Sequence, residues 1–241
     1  PYVVPPPGQD NSYAGYPAIS EDGNVFALVD TAFKNNWPLL VHCNGDAAAD
    51  QLIRAVSQAE NLYGKKDRRT VMIHAQTVRA DQLDLMKQLG IIPSFFSMHT
   101  YYWGDWHRDS VLGAERAERI SPARSALRRG MIFSQHHDAP VALPSAIRIL
   151  ASVVTRRTLS GDILGAGQCI PVDTALKSLI IWAAYHHYEE ANRGSIEVSK
   201  LADFVVLDHD IIAIDPVEIC DIKVQQTWVG GKKVFDRTKE Q

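Results

Sequence analysis

Three residues fall where they could build a metal site. His42 stands near the end of the apolar run Trp37-Pro38-Leu39-Leu40-Val41-His42-Cys43, and His74 closes Thr70-Val71-Met72-Ile73-His74. Asp138 follows the strand-like Met131 to Ser134 and the tripeptide Gln135-His136-His137. A neutral imidazole offers a nitrogen lone pair and an aspartate offers charge, so the set suits zinc or a similar divalent ion. Such an ion lowers the pKa of bound water to about 7, and the aspartate can take the proton released. Each residue alone is more simply a packed or hydrogen-bonding side chain. Their register argues for the set: 32 residues separate His42 from His74, and 64, twice that, separate His74 from Asp138.

That register comes from alternating elements. A helical pattern begins at Ser20, with Val25, Phe26, Val29, Ala32 and Phe33 on one face, and leads into the run ending at Cys43, which reads as a strand buried on both faces. Ala48, Leu52, Ala55, Val56, Ala59 and Tyr63 mark the next helix, with Asp46 as its expected cap. After the second strand, Asp81 to Leu89 is a helix closed by Gly90, and Ile91 to Phe96 a third strand. Residues 97–120 read as a long loop with a helical piece near Arg116. Ser121-Pro122 and Arg128-Arg129-Gly130 then bracket a helix before the fourth strand, Met131 to Ser134. Helices at Ser145–Thr155 and Asp173–Tyr185 follow, joined through Gly161, Gly165 and Gly167.

Strands alternating with helices imply βαβ crossovers and a parallel sheet. An eight-unit barrel of ~250 residues allots about 31 to each unit, and its active residues lie at the C-terminal strand ends. The three residues would then end the first, second and fourth strands of a four-unit run. Four strands cannot close a barrel of eight. The tail differs: Phe204 to Leu207 is a strand, and Val224 to Val229 pairs with Lys232 to Phe235 across Gly230-Gly231 in a tight hairpin.

Composition excludes several classes. The 241 residues are 46% hydrophobic and carry a net charge of −3, with no basic run to suit nucleic acid and no apolar stretch near membrane-spanning length. The start, PYVVPPPGQD, lacks the features of a secretory signal. Cys43, Cys169 and Cys220 are odd in number and far apart, so a reducing cytoplasm fits better than a disulfide framework. No Gly-x-Ser-x-Gly or Cys-x-x-Cys is present.

Five segments carry a family resemblance. Val41-His42-Cys43-Asn44-Gly45-Asp46, Ile73-His74-Ala75-Gln76, His137-Asp138-Ala139-Pro140-Val141, Gly194 to Leu207, and Val229-Gly230-Gly231-Lys232 together resemble the amidohydrolase superfamily, in its N-substituted formamide deformylase-like branch. The resemblance implies that the α/β chain is the C-terminal half of a TIM-like (β/α)8 barrel, about strands five to eight, over residues 1–190. Residues 191–241 would supply C-terminal strands of a composite β-sandwich. It implies metal-dependent hydrolysis of amide-like, non-peptide C–N bonds in small molecules, with His42 and His74 as ligands and Asp138 as both ligand and general base. Zinc is the first expectation, as one or two ions in the complete enzyme; iron, manganese and nickel suit similar ligands. The family's strand-one His-x-His pair appears nowhere, and its bridging residue, usually a carboxylated lysine, is expected upstream of Pro1. The contiguous gap reads as truncation. The rival reading is an incompetent half-barrel that dimerises through open edges or pairs with a separate N-terminal half. A third is another reaction, such as isomerisation, on the same scaffold.

Weaker candidates surround this set. In the aromatic segment His99 to His107, His99 and Trp103 are expected to bind substrate; the family often has a histidine there that could meet a substrate carbonyl. His136 and His137 sit beside Asp138 but face opposite ways in an extended chain, so at most one can face the metal, and packing or solvent roles are expected for both. His186 and His187 suit a helix C-terminus. Cys43 is expected to be buried and inert.

Overall fold

The computed structural model describes residues 1–239. Strands β1 (Leu40–Cys43), β2 (Val71–His74), β3 (Ile92–Phe95) and β4 (Ser134–Gln135) form one parallel sheet in that order. Cys43 pairs with His74, and His74 with Phe95, so the strands end at one level. Parallel neighbours need crossover connections, which α2 (Asp46–Tyr63) and α3 (Ala80–Gln88) provide. Helix α1 (Asp22–Lys34) precedes β1 and buries Val25, Val29, Ala32 and Phe33, the face the periodicity predicts. Helix α2 buries Leu52, Ala55, Val56 and Ala59.

Between β3 and β4 the chain is helical where a loop was expected. Helix α4 (Met98–Trp106) runs through a π-helical turn, His107–Val111, into α5 (Gly113–Ala117), and α6 (Ala123–Arg128) follows. Packing overrides the weak helix propensity of the aromatic segment, because Met98, Val111, Ala117 and Ile120 are all buried. After β4 come α7 (Ala146–Thr155), α8 (Val172–Leu179) and α9 (Ile181–His186). The helix expected over 173–185 breaks at Ile180 (φ −115°, ψ −90°), which redirects α9 so that Trp182 packs on Phe133. Strands β5 (Phe204–Leu207), β6 (Val224–Val229) and β7 (Lys232–Asp236) form a second, antiparallel sheet. Gly230 and Gly231, at φ 57° and 76°, make the turn between β6 and β7 that side chains disfavour.

Four further expectations are corrected. β1 is not buried on both faces: Leu40 is 47% exposed and His42 is exposed, because β1 is an edge strand paired only with β2 among the described residues. β4 begins at Ser134 rather than Met131, since the Met131 amide still bonds back to the Ala126 carbonyl at the end of α6. Gly45, not Asp46, occupies the cap of α2; Asp46 is its first residue and accepts from the Ala47 amide at 3.0 Å. Ser121 does not cap α6; its amide donates instead to the Gln76 carbonyl at 2.8 Å.

One apolar cluster joins α1, α2, β2, β3, α6, α7 and α8, and Ile211, Ile219 and Ile222 of the tail belong to it. Beside that core, the fully buried Arg156 at the end of α7 donates to the carbonyls of Leu164 (2.6 Å), Ile120 (2.9 Å) and Ser121 (3.4 Å). No helix among the described residues is long and apolar enough to cross a membrane.

Candidate functional site

The parallel strands deliver their last residues to one end of the sheet, and the backbone there is bent. His74 and Ala75 take left-handed φ values of 70° and 45°, and Asp138 takes 58°. Such conformations cost roughly 1–3 kcal/mol each outside glycine and persist only where the surroundings impose them. They turn the His74 and Asp138 side chains together: His74 Nε2 lies 3.9 Å from Asp138 Oδ2. His136 completes the group, with its Nε2 3.2 Å from His74 Nδ1. His74, His136 and Asp138 can each offer one donor atom, all within 4.8 Å of one another.

A supporting shell holds these rings. The Ser94 hydroxyl on β3 meets His136 Nδ1 at 3.0 Å and accepts from Ser134 of β4 at 2.9 Å. Ser134 in turn meets His186 Nδ1 on α9 at 3.1 Å. Burial pushes His136 down to about 3, with the neighbouring His74 adding to it, and burial with His187 brings His186 to about 4. Burial and then His42 also lower His74, which Asp138 partly opposes. The imidazoles are therefore neutral near pH 7, the form a metal requires.

The donor chemistry fits a divalent ion. Two nitrogens on one tetrahedral zinc, each at about 2.0–2.1 Å, stand roughly 3.3 Å apart. His136 Nε2 and His74 Nδ1, 3.2 Å apart, are close to that, and one donor atom from each of the three residues lies within 4.8 Å of the others. An outer partner such as Ser94, fixing ring orientation, is usual for ligating histidines.

His42 and His74 meet edge to face with ring centroids 4.5 Å apart, but His42 lies on the exposed β1 and outside the three-donor group. His99, in the first turn of α4, packs 4.4 Å from Phe96 and 6.2 Å from His74, so it borders the site. Trp103, one turn on, lies 5.3 Å from His99 and 6.1 Å from Phe96. His136 is one of the two residues for which the sequence reading expected packing or solvent roles. The available signal was its two-residue separation from Asp138, which in extended chain puts both on one side. His186 reaches Ser134 rather than serving a helix end alone. His137 accepts from the Ala139 amide at 3.1 Å, and Cys43 is buried, its thiol raised by burial to about 12. A cavity of about 550 Å³ lies at the opposite end of the strands, lined by Thr70, Ile92 and Ile132, away from every histidine of the site.

An uncharacterized metal-dependent hydrolase from Pyrococcus horikoshii superposes with a TM-score of 0.73 at 20% identity, over 86% of this chain and 41% of that one. A Bacillus subtilis protein named as an amidohydrolase, YtcJ, is 24% identical over 96% of this chain and 44% of its own length. The N-substituted formamide deformylase of Arthrobacter pascens is 28% identical over 89% of this chain and 39% of its own. The chain thus spans less than half the length of these curated relatives. Residues 5–235 match the amidohydrolase family as a whole, and the chain belongs to that family.

Proposed function

We propose that the chain serves the metal-dependent hydrolysis of amide-like, non-peptide C–N bonds in small molecules. The observation that carries this reading is the group of His74, His136 and Asp138 at the C-terminal ends of parallel strands. His74, His136 and Asp138 would hold the ion, zinc first by donor type, with His42 beside them as a further imidazole. When bound, a divalent ion supplies Lewis acidity to a carbonyl and acidity to water. Asp138 accepts the proton of the attacking water and returns it to the leaving nitrogen. His136 stays oriented through Ser94, and His99 and Trp103 border the space for substrate. Residues 1–190 are taken as about strands five to eight of a TIM-like barrel, and 191–241 as part of a small β-sandwich. A cytoplasmic setting accords with the three free cysteines.

The test combines metal content with turnover. Plasma mass spectrometry should find near one ion per chain, reduced severalfold in His136→Ala. Asp138→Asn should lower turnover of N-formyl and amide substrates by about 10²–10⁴-fold, the usual contribution of a general base. Undiminished turnover in that variant would refute the mechanism. The open edge of β1 favours a second reading, in which the chain works only when a second copy or a further strand-bearing segment pairs there. Light scattering across a concentration series separates the two, because a monomer at all concentrations argues against self-pairing.

A further inference from the structure

His107 lies outside the ligand group and has no part in the mechanism above, yet it is buried in the first position of the π-helical turn after α4. Its Nε2 has two neighbours: Gln76 Nε2 at 3.1 Å and His99 Nδ1 at 3.2 Å. Its Nδ1 is buried with no partner among the described residues. Turns of this kind inside α-helices are frequent at functional sites. This one places a ring that a regular helix would carry elsewhere against both Gln76 and His99.

The donor inventory decides where the protons are. Gln76 turns its NH₂ rather than its carbonyl oxygen toward His107 Nε2, and because an NH₂ can only donate, this orientation requires a lone pair on His107 Nε2. The His107 proton then sits on Nδ1. With a lone pair on His107 Nε2, His99 Nδ1 cannot also present one at 3.2 Å without repulsion, so it must carry a hydrogen and donate it. One acceptor shared by two donors accounts for both separations exceeding the usual 2.9–3.0 Å. A neutral ring with a proton on Nδ1 has none on Nε2. No protein group among the described residues engages His99 Nε2.

We propose that His107, held by Gln76, is a positioning residue that locks His99 as its Nδ1–H tautomer, so that His99 offers a bare Nε2 lone pair beside the ligand group. An acceptor there meets an N–H or O–H of the substrate, where the family resemblance suggested contact with its carbonyl. The substrate clause rests on the hydrolase reading, and it selects amides that keep a hydrogen on nitrogen, or carry a hydroxyl, over fully substituted ones.

Nitrogen-15 NMR of the histidine rings in the full chain tests the tautomer without reference to activity, with the His99 signals assigned by their loss in His99→Gln. The wild type should show His99 as a single tautomer protonated on Nδ1; protonation on Nε2 overturns the proposal. His107→Leu should release His99 to a mixture, whereas His107→Gln, whose amide oxygen can still accept, should retain the wild-type form. Gln76→Glu reverses the requirement at residue 76 and should move the His107 proton to Nε2. If that variant leaves both rings unchanged, the proposal fails. Should His107→Leu not fold, the wild-type spectrum and Gln76→Glu still decide. Activity is read separately: a secondary amide should exceed its N-methyl analogue in kcat/KM by about tenfold, the worth of one hydrogen bond. His107→Leu should erase that preference and His107→Gln keep it. Loss of the preference with the tautomer intact overturns the substrate clause alone, and metal-free protein with the tautomer intact overturns the hydrolase reading alone.

Discussion

Ala75 shows how a residue with no reactive group can govern chemistry. It follows His74, is fully buried, and shares the left-handed backbone that turns the His74 ring toward Asp138. Ala75→Gly should be near neutral in Tm, because glycine takes that backbone without strain. Ala75→Val should cost about 2–3 kcal/mol, from the strained φ and the stiff branched side chain, and should lower bound metal as well. Calorimetry beside metal analysis checks both; an unchanged Tm for the valine variant would mean the turn is freely relaxed. Asp138 has the same kind of backbone, which asparagine tolerates, so Asp138→Asn isolates proton transfer from folding.

Helix α4 carries His99 and Trp103, and its position depends on one close approach. A Cβ on Gly104 would stand 2.9 Å from Thr158 Cγ2 and 3.2 Å from Leu164 Cδ2. Gly104→Ala should therefore cost roughly 1–3 kcal/mol by overpacking. It should also raise KM by shifting the aromatic border, which steady-state kinetics would read. On the far side, Asp50 of α2 accepts from Arg79 and Gln82 at the start of α3. Burial alone would raise the Asp50 carboxyl, but those bonds outweigh it and hold it below the usual range. A depressed acid stabilises fully above its unfolded pKa, about 3.9, and that support is lost as pH falls through the lower folded value. The urea midpoint should thus fall below about pH 4, and Asp50→Asn should flatten that limb.

These elements were unequally visible in the sequence. Strands ending at Cys43 and His74 and the amphipathic α1 and α2 could be read because apolar spacing alone specifies them. The chain between β3 and β4 could not: aromatic and β-branched residues give α4 and its π-helical turn little local preference, and only burial of Met98, Val111 and Ile120 makes them helical. His136 was missed for a related reason. It lies just past the end of β4, and its approach to His74 depends on where β3 sets Ser94, a contact 42 residues away.

In the whole molecule, the histidine cluster and the cavity occupy opposite ends of one sheet. Histidines cluster where the strands end, and the cavity of about 550 Å³ where they begin is bordered by Lys65, Lys66, Arg68 and Lys87. Conventional barrels divide the same way, with function at the C-terminal face and stability at the other. The tail crosses this division through Ile211, Ile219 and Ile222 in the main core.

Arg156 ties loops beside the site together. Its guanidinium gathers carbonyls from residues 120, 121 and 164, and Ser121 in turn holds the Gln76 carbonyl beside the site. Burial lowers this arginine to about 10, still charged at neutral pH, so releasing one carbonyl would leave a buried cation short of partners. The two segments should therefore open as one cooperative unit. Amide hydrogen exchange monitored by mass spectrometry should show peptides covering residues 118–123 and 156–166 gaining deuterium in concert, and Arg156→Met should split them into separate, faster phases.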